Sequence, residues 1–263
     1  MSSSLAGDST VIKTETAVNV KMREEFRSAR VDLAAVLRWS ARLGYQQGIC
    51  NHYSFLLPDQ EVLFLVNPEG YFWSEITASS LLVCDLDGNI IEGAGTVERT
   101  AFCLHAPIHR HNQAARAALH THTPYATALC LIEGGHLEPV NLAGFQFYGK
   151  IAYDENHQGG ALSPEEGDRE VKILGDNNIL MMRNHGPMVV GPTIAIAFDR
   201  LYYLEEVCKR QVLAMSTSRP LQHVAPQIIH QLADDEALYE AYANKHLTAI
   251  KRVLDHEEPD YAQ

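Results

Sequence analysis

The sequence predicts a layered α/β or α+β domain built around a predominantly antiparallel sheet. Hydrophobic residues make up 46% of the 263 residues, so a substantial core can be buried. Segments with helical periodicity alternate with short apolar segments that are bounded by Gly, Pro and Asp turns. The resulting order is helix, strands, helix, strand, helix, strands, helix, which is typical of a sheet covered by helices.

The first part of the chain is predicted to contain one long helix and several short strands. Residues 21–43 form an amphipathic pattern, and Gly44 follows it as a helix-ending residue. The predicted strands are His52–Leu57, Val62–Val66, Leu81–Asp85 and Asn89–Ile91. Residues 1–20 lack the apolar segment of a signal peptide, so we expect a disordered tail there.

The second part alternates helices with strands. The predicted helices are 101–111, Thr123–Leu131, Ser163–Leu174, Thr193–Met215 and a final helical region over 225–254. The predicted strands are Ala115–His122, Tyr148–Tyr153, Ile179–Met182 and Met188–Val190. The strongest pattern is that of Thr193–Met215, because its apolar residues lie on one stripe.

Charge and cysteine content exclude several classes of function. The net charge is −12, with 33 acidic and 21 basic residues, which argues against a nucleic-acid partner. No run of 18 apolar residues is present, so we expect no membrane span. The five cysteines are odd in number and scattered, without a CxxC pair, and this favours reduced thiols in a cytoplasmic protein.

A pair of histidines two residues apart predicts a metal site. His120 and His122 lie at the end of a predicted strand, where residues i and i+2 share a face. A third imidazole has to come from elsewhere, and His185 is the candidate because Gly186 relieves crowding in its tight turn. Three imidazoles with one open position are typical of a catalytic zinc site, and Fe²⁺, Mn²⁺ or Co²⁺ would also be accepted.

Other histidines weaken the pattern taken alone. The chain has 13 histidines, so the three could instead be satisfied core or surface residues. His109 and His111 form a second pair with the same spacing. We interpret that pair as solvated, because it ends a helix among polar residues.

Several motifs together resemble the class II aldolase/adducin family over residues 25–215. They are Asn67-Pro68-Glu69-Gly70, Thr100-Ala101-Phe102-Cys103-Leu104-His105, His120-Thr121-His122-Thr123-Pro124, Phe147-Tyr148-Gly149 and Asn184-His185-Gly186. The resemblance implies a three-layer α/β/α sandwich with a central, mainly antiparallel sheet, and assembly as a homotetramer. It divides the chain into a tail (1–20), the family domain (21–220) and a carboxyl-terminal helical extension (221–263).

The resemblance also implies a chemistry. Family enzymes use one divalent metal ion per chain, often Zn²⁺, to stabilise an enediolate or enolate. We therefore expect a metal-dependent lyase of the aldolase, decarboxylase or dehydratase type. Its substrate would be a small hydroxy-carbonyl or carboxylate molecule. Two alternatives stay open: an adducin-like, non-catalytic assembly module, and an iron-dependent oxygenase that uses the same histidines.

The sequence departs from the family at the acid/base position. Sugar-phosphate aldolases have a catalytic glutamate where this chain has Ala101. Loss of that carboxylate puts ordinary aldolase chemistry in doubt. Glu98, three residues earlier, is a candidate replacement, and Tyr148 is a second candidate for proton transfer. The alternative for Tyr148 is an aromatic residue on a half-buried strand.

The phosphate cradle of the family is altered as well. Asn51 and Gly70 are kept as candidates that shape the pocket, whereas Glu69 would repel a phosphate. Arg99 could hold a substrate carboxylate in a bidentate fork, or form a surface ion pair. His105 could be a fourth ligand, but we favour a role as a core histidine or as a residue that supports a ligand from behind.

Overall fold

The computed structural model describes residues 9–57, 63–112, 114–157, 159, 163–233 and 235–263. Its centre is an eight-stranded sheet with the order β4-β3-β2-β1-β5-β8-β7-β6. The strands are β1 (His52–Leu56), β2 (Leu63–Val66), β3 (Leu82–Asp85), β4 (Ile90–Glu92), β5 (Ala117–His120), β6 (Ile151–Asp154), β7 (Ile179–Met182) and β8 (Pro187–Gly191). Every neighbouring pair is antiparallel except β6 and β7, which are parallel.

Helices cover both faces of this sheet. They are α1 (Ser9–Arg42), α2 (Arg99–His111), α3 (Pro124–Cys130), α4 (Pro164–Leu174), α5 (Ile194–Met215), α6 (Pro226–Ala233) and α7 (Glu236–Glu257). Helix α1 begins within the segment 1–20 that the sequence predicts as a tail, and residues 1–8 lie outside the described part of the chain. The division into three segments stays a prediction.

Alternate residues of the strands enter two different cores. In β7, Ile179 and Met181 pack in the larger core with α1, α3, α5 and α7. Leu180 and Met182 pack on the other face with residues of α2 and α4, such as Leu104 and Leu174. This alternation follows from the two-residue period of a strand. The predicted three-layer sandwich with a mainly antiparallel sheet is confirmed.

Strand β5 lies near the middle of the sheet, between β1 and β8. It ends at His120, earlier than the predicted end at His122, and α3 begins at Pro124. The carboxylate of Glu205 on α5 accepts hydrogen bonds from the N–H groups of Tyr125 and Ala126, at 2.9 and 2.8 Å. The buried carboxylate thereby satisfies the first N–H groups of α3 and fixes the chain just after β5.

The carboxyl-terminal residues share the larger core. Ala243 and Ile250 of α7 and the buried Tyr261 pack in it together with Leu37 of α1. The guanidinium group of Arg38, also on α1, forms ion pairs with two carboxylates near the end of the chain. Within the described residues, no helix has both the length and the apolar character needed to cross a bilayer.

Helices α2 and α4 approach each other closely at one point. Pro107 has no N–H, so the carbonyl of Cys103 lacks its usual helical partner. Gly167 of α4 packs against this carbonyl, and a Cβ there would lie 1.9 Å from the Cys103 oxygen and 2.8 Å from Pro107 Cγ. A glycine is therefore required by the distance between the two helices.

We expect the substitution Gly167→Ala to lower the free energy of unfolding by at least about 1–3 kcal/mol, because the added methyl group forces α4 away from α2. Urea denaturation measures this change. The matched control is Gly144→Ala, whose Cβ would meet Val207 at an ordinary 3.8 Å. Equal stability of the two variants would contradict the proposed close packing.

Candidate metal centre

Three imidazole rings meet where β5 ends. The ring centroids of His120 and His122 are 5.0 Å apart, and that of His185 lies 4.8 Å from each of them. One ring nitrogen of each lies within 4.8 Å of those of the other two. The structure thus brings together the three histidines that the sequence singles out, and their role as ligands remains our proposal.

The turn between β7 and β8 carries the third ring to this point. Asn184 adopts a left-handed conformation with φ 56°, which reverses the chain before His185. A Cβ at Gly186 would lie 2.9 Å from the carbonyl oxygen of Thr121 and 3.0 Å from a ring carbon of His122. Glycine is therefore needed for the turn to sit against the segment that follows β5.

Hydrogen bonds fix the orientation of the first two rings. The Nδ1–H of His120 donates to the carbonyl of Pro187 at 3.1 Å, and that of His122 donates to the side-chain oxygen of Gln47. In each ring the remaining nitrogen, Nε2, then carries the lone pair. Such partners on the far nitrogen are typical of metal-ligating histidines. Asn51 supports this arrangement indirectly, since its Oδ1 accepts from the backbone N–H of Gln47 at 3.0 Å.

The third ring is held by a histidine that the sequence did not identify as a site residue. Nδ1 of His185 hydrogen-bonds Nε2 of His157 at 2.9 Å. The other nitrogen of His157 lies 3.3 Å from a Glu170 oxygen and 3.6 Å from an Asp154 oxygen. His157 and both carboxylates are buried. These acidic groups favour a hydrogen on Nδ1 of His157. Nε2 of His157 then accepts a hydrogen bond from Nδ1 of His185, so that the lone pair of His185 is on Nε2.

These features fit a divalent cation. Burial lowers the pKa of all three imidazoles, and that of His185 falls to about 4, with the charges of His122 and His157 as further causes. The rings are therefore neutral at neutral pH, which is the form that binds metal. Nε2 of His122 is buried without a hydrogen-bond partner among the described residues. A metal ion would satisfy this atom, and the half-buried His122 and His185 leave the centre accessible.

Two predicted substrate-binding residues, Asn51 and Gly70, have a left-handed backbone. Asn51 is buried, precedes β1 and has a left-handed φ of 80°. Gly70 is exposed, with φ 86°, and a Cβ there would meet no atom within 4 Å. The left-handed backbone, and not lack of space, favours glycine at this position.

Glu98 and Arg99, both predicted as site residues, lie at the start of α2 and contact nearby residues of that helix. Glu98 accepts a hydrogen bond from the Thr100 hydroxyl at 2.6 Å. Burial raises the pKa of the Cys103 thiol. The exposed Arg99, which hydrogen-bonds this thiol, offsets part of that rise. These contacts lie at the start of α2, which Glu98 directly precedes, and they do not link either side chain to the three histidines.

Tyr148 lines a cavity that the three clustered histidines do not line. It is 42% exposed, and His136 and Tyr153 line the same cavity, which has a volume of about 290 Å³. The predicted strand from Tyr148 begins only at Ile151. The Tyr153 hydroxyl accepts from the N–H of Leu137, and burial raises its pKa to about 12.

His105 and His109 are buried on the inner face of α2. His105 does not join the three rings; its Nε2 lies 2.6 Å from Nδ1 of His52, whose ring packs 5.0 Å from that of His120. The interpretation of His109 as solvated is wrong, because it is 1% exposed and its Nε2 lies 2.7 Å from the Ser54 hydroxyl oxygen. A spacing of four residues places both histidines on one helix face.

Fold and site together define a class: a three-layer α/β/α protein with a three-histidine centre suited to a divalent cation. Residues 31–212 match the family described as Class II Aldolase and Adducin N-terminal domain, and the chain belongs to this family. Family and centre together support a metal-dependent aldolase-type role or an adducin-like role.

Individual relatives agree with this assignment. A Caulobacter vibrioides protein named as aldolase class 2 is 34% identical over 249 residues, which cover 92% of this chain and 95% of that protein. Human beta-adducin is 29% identical over 80% of this chain, which corresponds to 29% of adducin.

Solved structures agree as well. An aldolase II superfamily protein from Pseudomonas syringae has a TM-score of 0.83 at 30% identity, covering 91% of this chain and 96% of that one. L-fuculose 1-phosphate aldolase from Glaciozyma antarctica PI12 has a TM-score of 0.81 at 22% identity, covering 92% and 94%, and this likeness shows the fold alone.

We expect purified protein to bind one divalent ion per chain and the variant His120→Ala to bind none tightly, because two imidazoles cannot replace three. Inductively coupled plasma mass spectrometry after zinc loading and desalting gives the ratio. His111→Ala is the control, since that ring is exposed and pairs with Asp168. A folded wild-type protein that cannot be loaded with zinc would contradict the metal assignment.

Stability should depend on pH through His109. Burial lowers its pKa to about 3 from the ordinary 6.5, so at intermediate pH the unfolded chain holds a proton that the folded chain lacks. The free energy of unfolding therefore falls as pH decreases from about 6.5 towards 3, by at most about 1.4 kcal/mol per unit for this group. Urea denaturation at several pH values should show a shallower slope for His109→Gln. The slope of His111→Gln should match that of the wild type, and a wild-type slope in His109→Gln would contradict the prediction.

Proposed function

We propose that the chain is a metal-dependent lyase that acts on a small hydroxy-carbonyl or carboxylate substrate. The observation that carries this proposal is the meeting of three neutral imidazoles, each held by a hydrogen bond on Nδ1. They come from the end of β5, the segment directly after it and the β7–β8 turn. The family supports the same role, because class II aldolases use a divalent metal. Zn²⁺ is the proposed ion, and Fe²⁺, Mn²⁺ and Co²⁺ suit the same ligands.

The ligands would be His120, His122 and His185. When bound, a divalent ion supplies Lewis-acid stabilisation of negative charge on substrate oxygens. The chain's contribution is to hold the three rings in fixed directions. It also excludes water on the inner side, where His120 is 3% exposed. The half-buried His122 and His185 form the accessible side, so we place the substrate there.

Position 101 carries no carboxylate, so we assign proton transfer to another group. Ala101 is buried and has no acidic group. We keep Tyr148 and Glu98 as candidates for this step, and Asn51, Gly70 and Arg99 as substrate-binding candidates. As the assembly we propose the homotetramer that the family resemblance implies. The five free thiols agree with the cytoplasmic location that we propose.

We expect zinc-loaded protein to cleave or dehydrate at least one compound from a panel of small hydroxy acids, keto acids and hydroxy aldehydes, followed by proton NMR. His120→Ala should lose turnover by more than about 100-fold, because the ion's stabilisation of the reacting oxygens is lost. His111→Ala serves as the matched control. Turnover that persists in metal-free protein would contradict the proposal.

An adducin-like assembly module is the second candidate. The likeness to human beta-adducin and the absence of an acidic group at Ala101 favour it. Light scattering and metal analysis separate the two functions: a stable oligomer without metal affinity favours the assembly module. An iron-dependent oxygenase would instead consume oxygen when loaded with ferrous iron.

A further inference from the structure

A row of buried polar groups runs from the metal centre into the protein. The ring of His52 packs against that of His120, and Nδ1 of His52 lies 2.6 Å from Nε2 of His105. Nδ1 of His105 contacts the hydroxyl of Ser54, and this hydroxyl lies 2.7 Å from Nε2 of His109. The row connects β1 to α2, and β1 pairs His52 directly with His120 of β5.

These four residues are fully enclosed and uncharged. His52 is 3% exposed, His109 is 1% exposed, and Ser54 and His105 are at 0%. Burial is the main cause that lowers the pKa of each of the three imidazoles, so all are neutral at neutral pH. Because His109 is enclosed, the row ends inside the protein and is suited to holding a side chain in place.

The row leaves one ring nitrogen of His52 for a further partner. Its Nδ1 is engaged by His105, so Nε2 is the remaining nitrogen. The ring of His52 lies 5.0 Å from that of His120, which places it beside the cluster. His52 does not belong to the set of ligand atoms within 4.8 Å of one another among the described residues. We therefore do not count His52 among the residues that would hold the ion.

We propose that His52 is a substrate-contacting residue, whose Nε2 hydrogen-bonds an oxygen of a small carboxylate held at the three-histidine centre. This inference rests on the metal-dependent function proposed above. His105, Ser54 and His109 act as positioning residues, because their hydrogen bonds restrict the rotation of the His52 ring. Four neutral imidazoles leave the charge of a divalent ion uncompensated, so an anionic substrate is favoured over a neutral one.

The roles of the two ring nitrogens of His52 can be tested separately. In His52→Asn the amide group occupies the position of Nδ1, so contact with His105 is kept and the Nε2 function is removed. In His52→Gln the amide group reaches the position of Nε2, and the contact with His105 is lost. Oxalate is the probe, and the protein is loaded with Co²⁺, whose visible absorption reports oxalate binding.

We expect His52→Asn to keep wild-type Co²⁺ affinity, within about threefold by chelator competition, and to bind oxalate about 10- to 100-fold more weakly. That range corresponds to one hydrogen bond to a charged group. His52→Gln should retain more oxalate affinity than His52→Asn. His105→Gln should weaken oxalate binding without loss of Co²⁺, and His111→Gln should change neither.

Wild-type oxalate affinity in a folded, Co²⁺-loaded His52→Asn variant would overturn the role of His52. Loss of Co²⁺ binding in that variant would also overturn it, because His52 would then be part of the ligand set. Failure of the wild-type protein to bind Co²⁺ is a separate result, and it would remove the metal-dependent function itself. Circular dichroism of each variant establishes that it is folded before binding is measured.

Discussion

The direction of three imidazole rings depends on the hydrogen bonds to their Nδ1 atoms. The partners come from three places: the Pro187 carbonyl, the Gln47 amide and the His157 ring. Each bond assigns the lone pair to Nε2, and one ring nitrogen of each residue lies within 4.8 Å of those of the other two. Without these partners, rings on a strand end and a turn could rotate, and the chelating arrangement would be lost in the free protein.

The fold supplies these partners because the sheet places distant segments side by side. Strand β5 lies between β1 and β8, so His120 has His52 on one side and Met188 on the other. The turn before β8 brings His185 across to His122. The price of this arrangement is a set of buried histidines, which stay neutral because burial lowers their pKa. Their hydrogen bonds to one another and to Ser54 offset part of the desolvation of the rings.

Local patterns in the sequence predict the layered fold, and the histidine spacing, the turn at Gly186 and the family motifs together predict the three clustered histidines. Ile179–Met182 is a strand with the predicted bounds, because its continuous apolar run and flanking turn residues are local signals. The predicted end of β5 at His122 is two residues too late, since the backbone leaves the sheet at Thr121 to form the entry to α3. His185 lies far from His120 in sequence, and the tight turn around it, together with the family motif Asn184-His185-Gly186, is what makes it a candidate.

The supporting residues could not be found in the same way. His52 faces the centre only because β1 and β5 pair in one register, and a shift of one residue would place it on the opposite face. The sequence around His109 gives no sign that it is buried, since its partner Ser54 lies on another element. His157 reaches His185 through a loop with no periodic pattern. Each of these contacts depends on tertiary packing.

The central claim is that three imidazoles from this chain bind one ion. X-ray absorption at the zinc edge of the loaded protein tests it most directly, because scattering from imidazole rings can be counted. The account predicts three histidine nitrogens at about 2.0–2.1 Å, with any further ligand an oxygen. Fewer than three imidazole rings around the ion, or sulfur among its ligands, would contradict it.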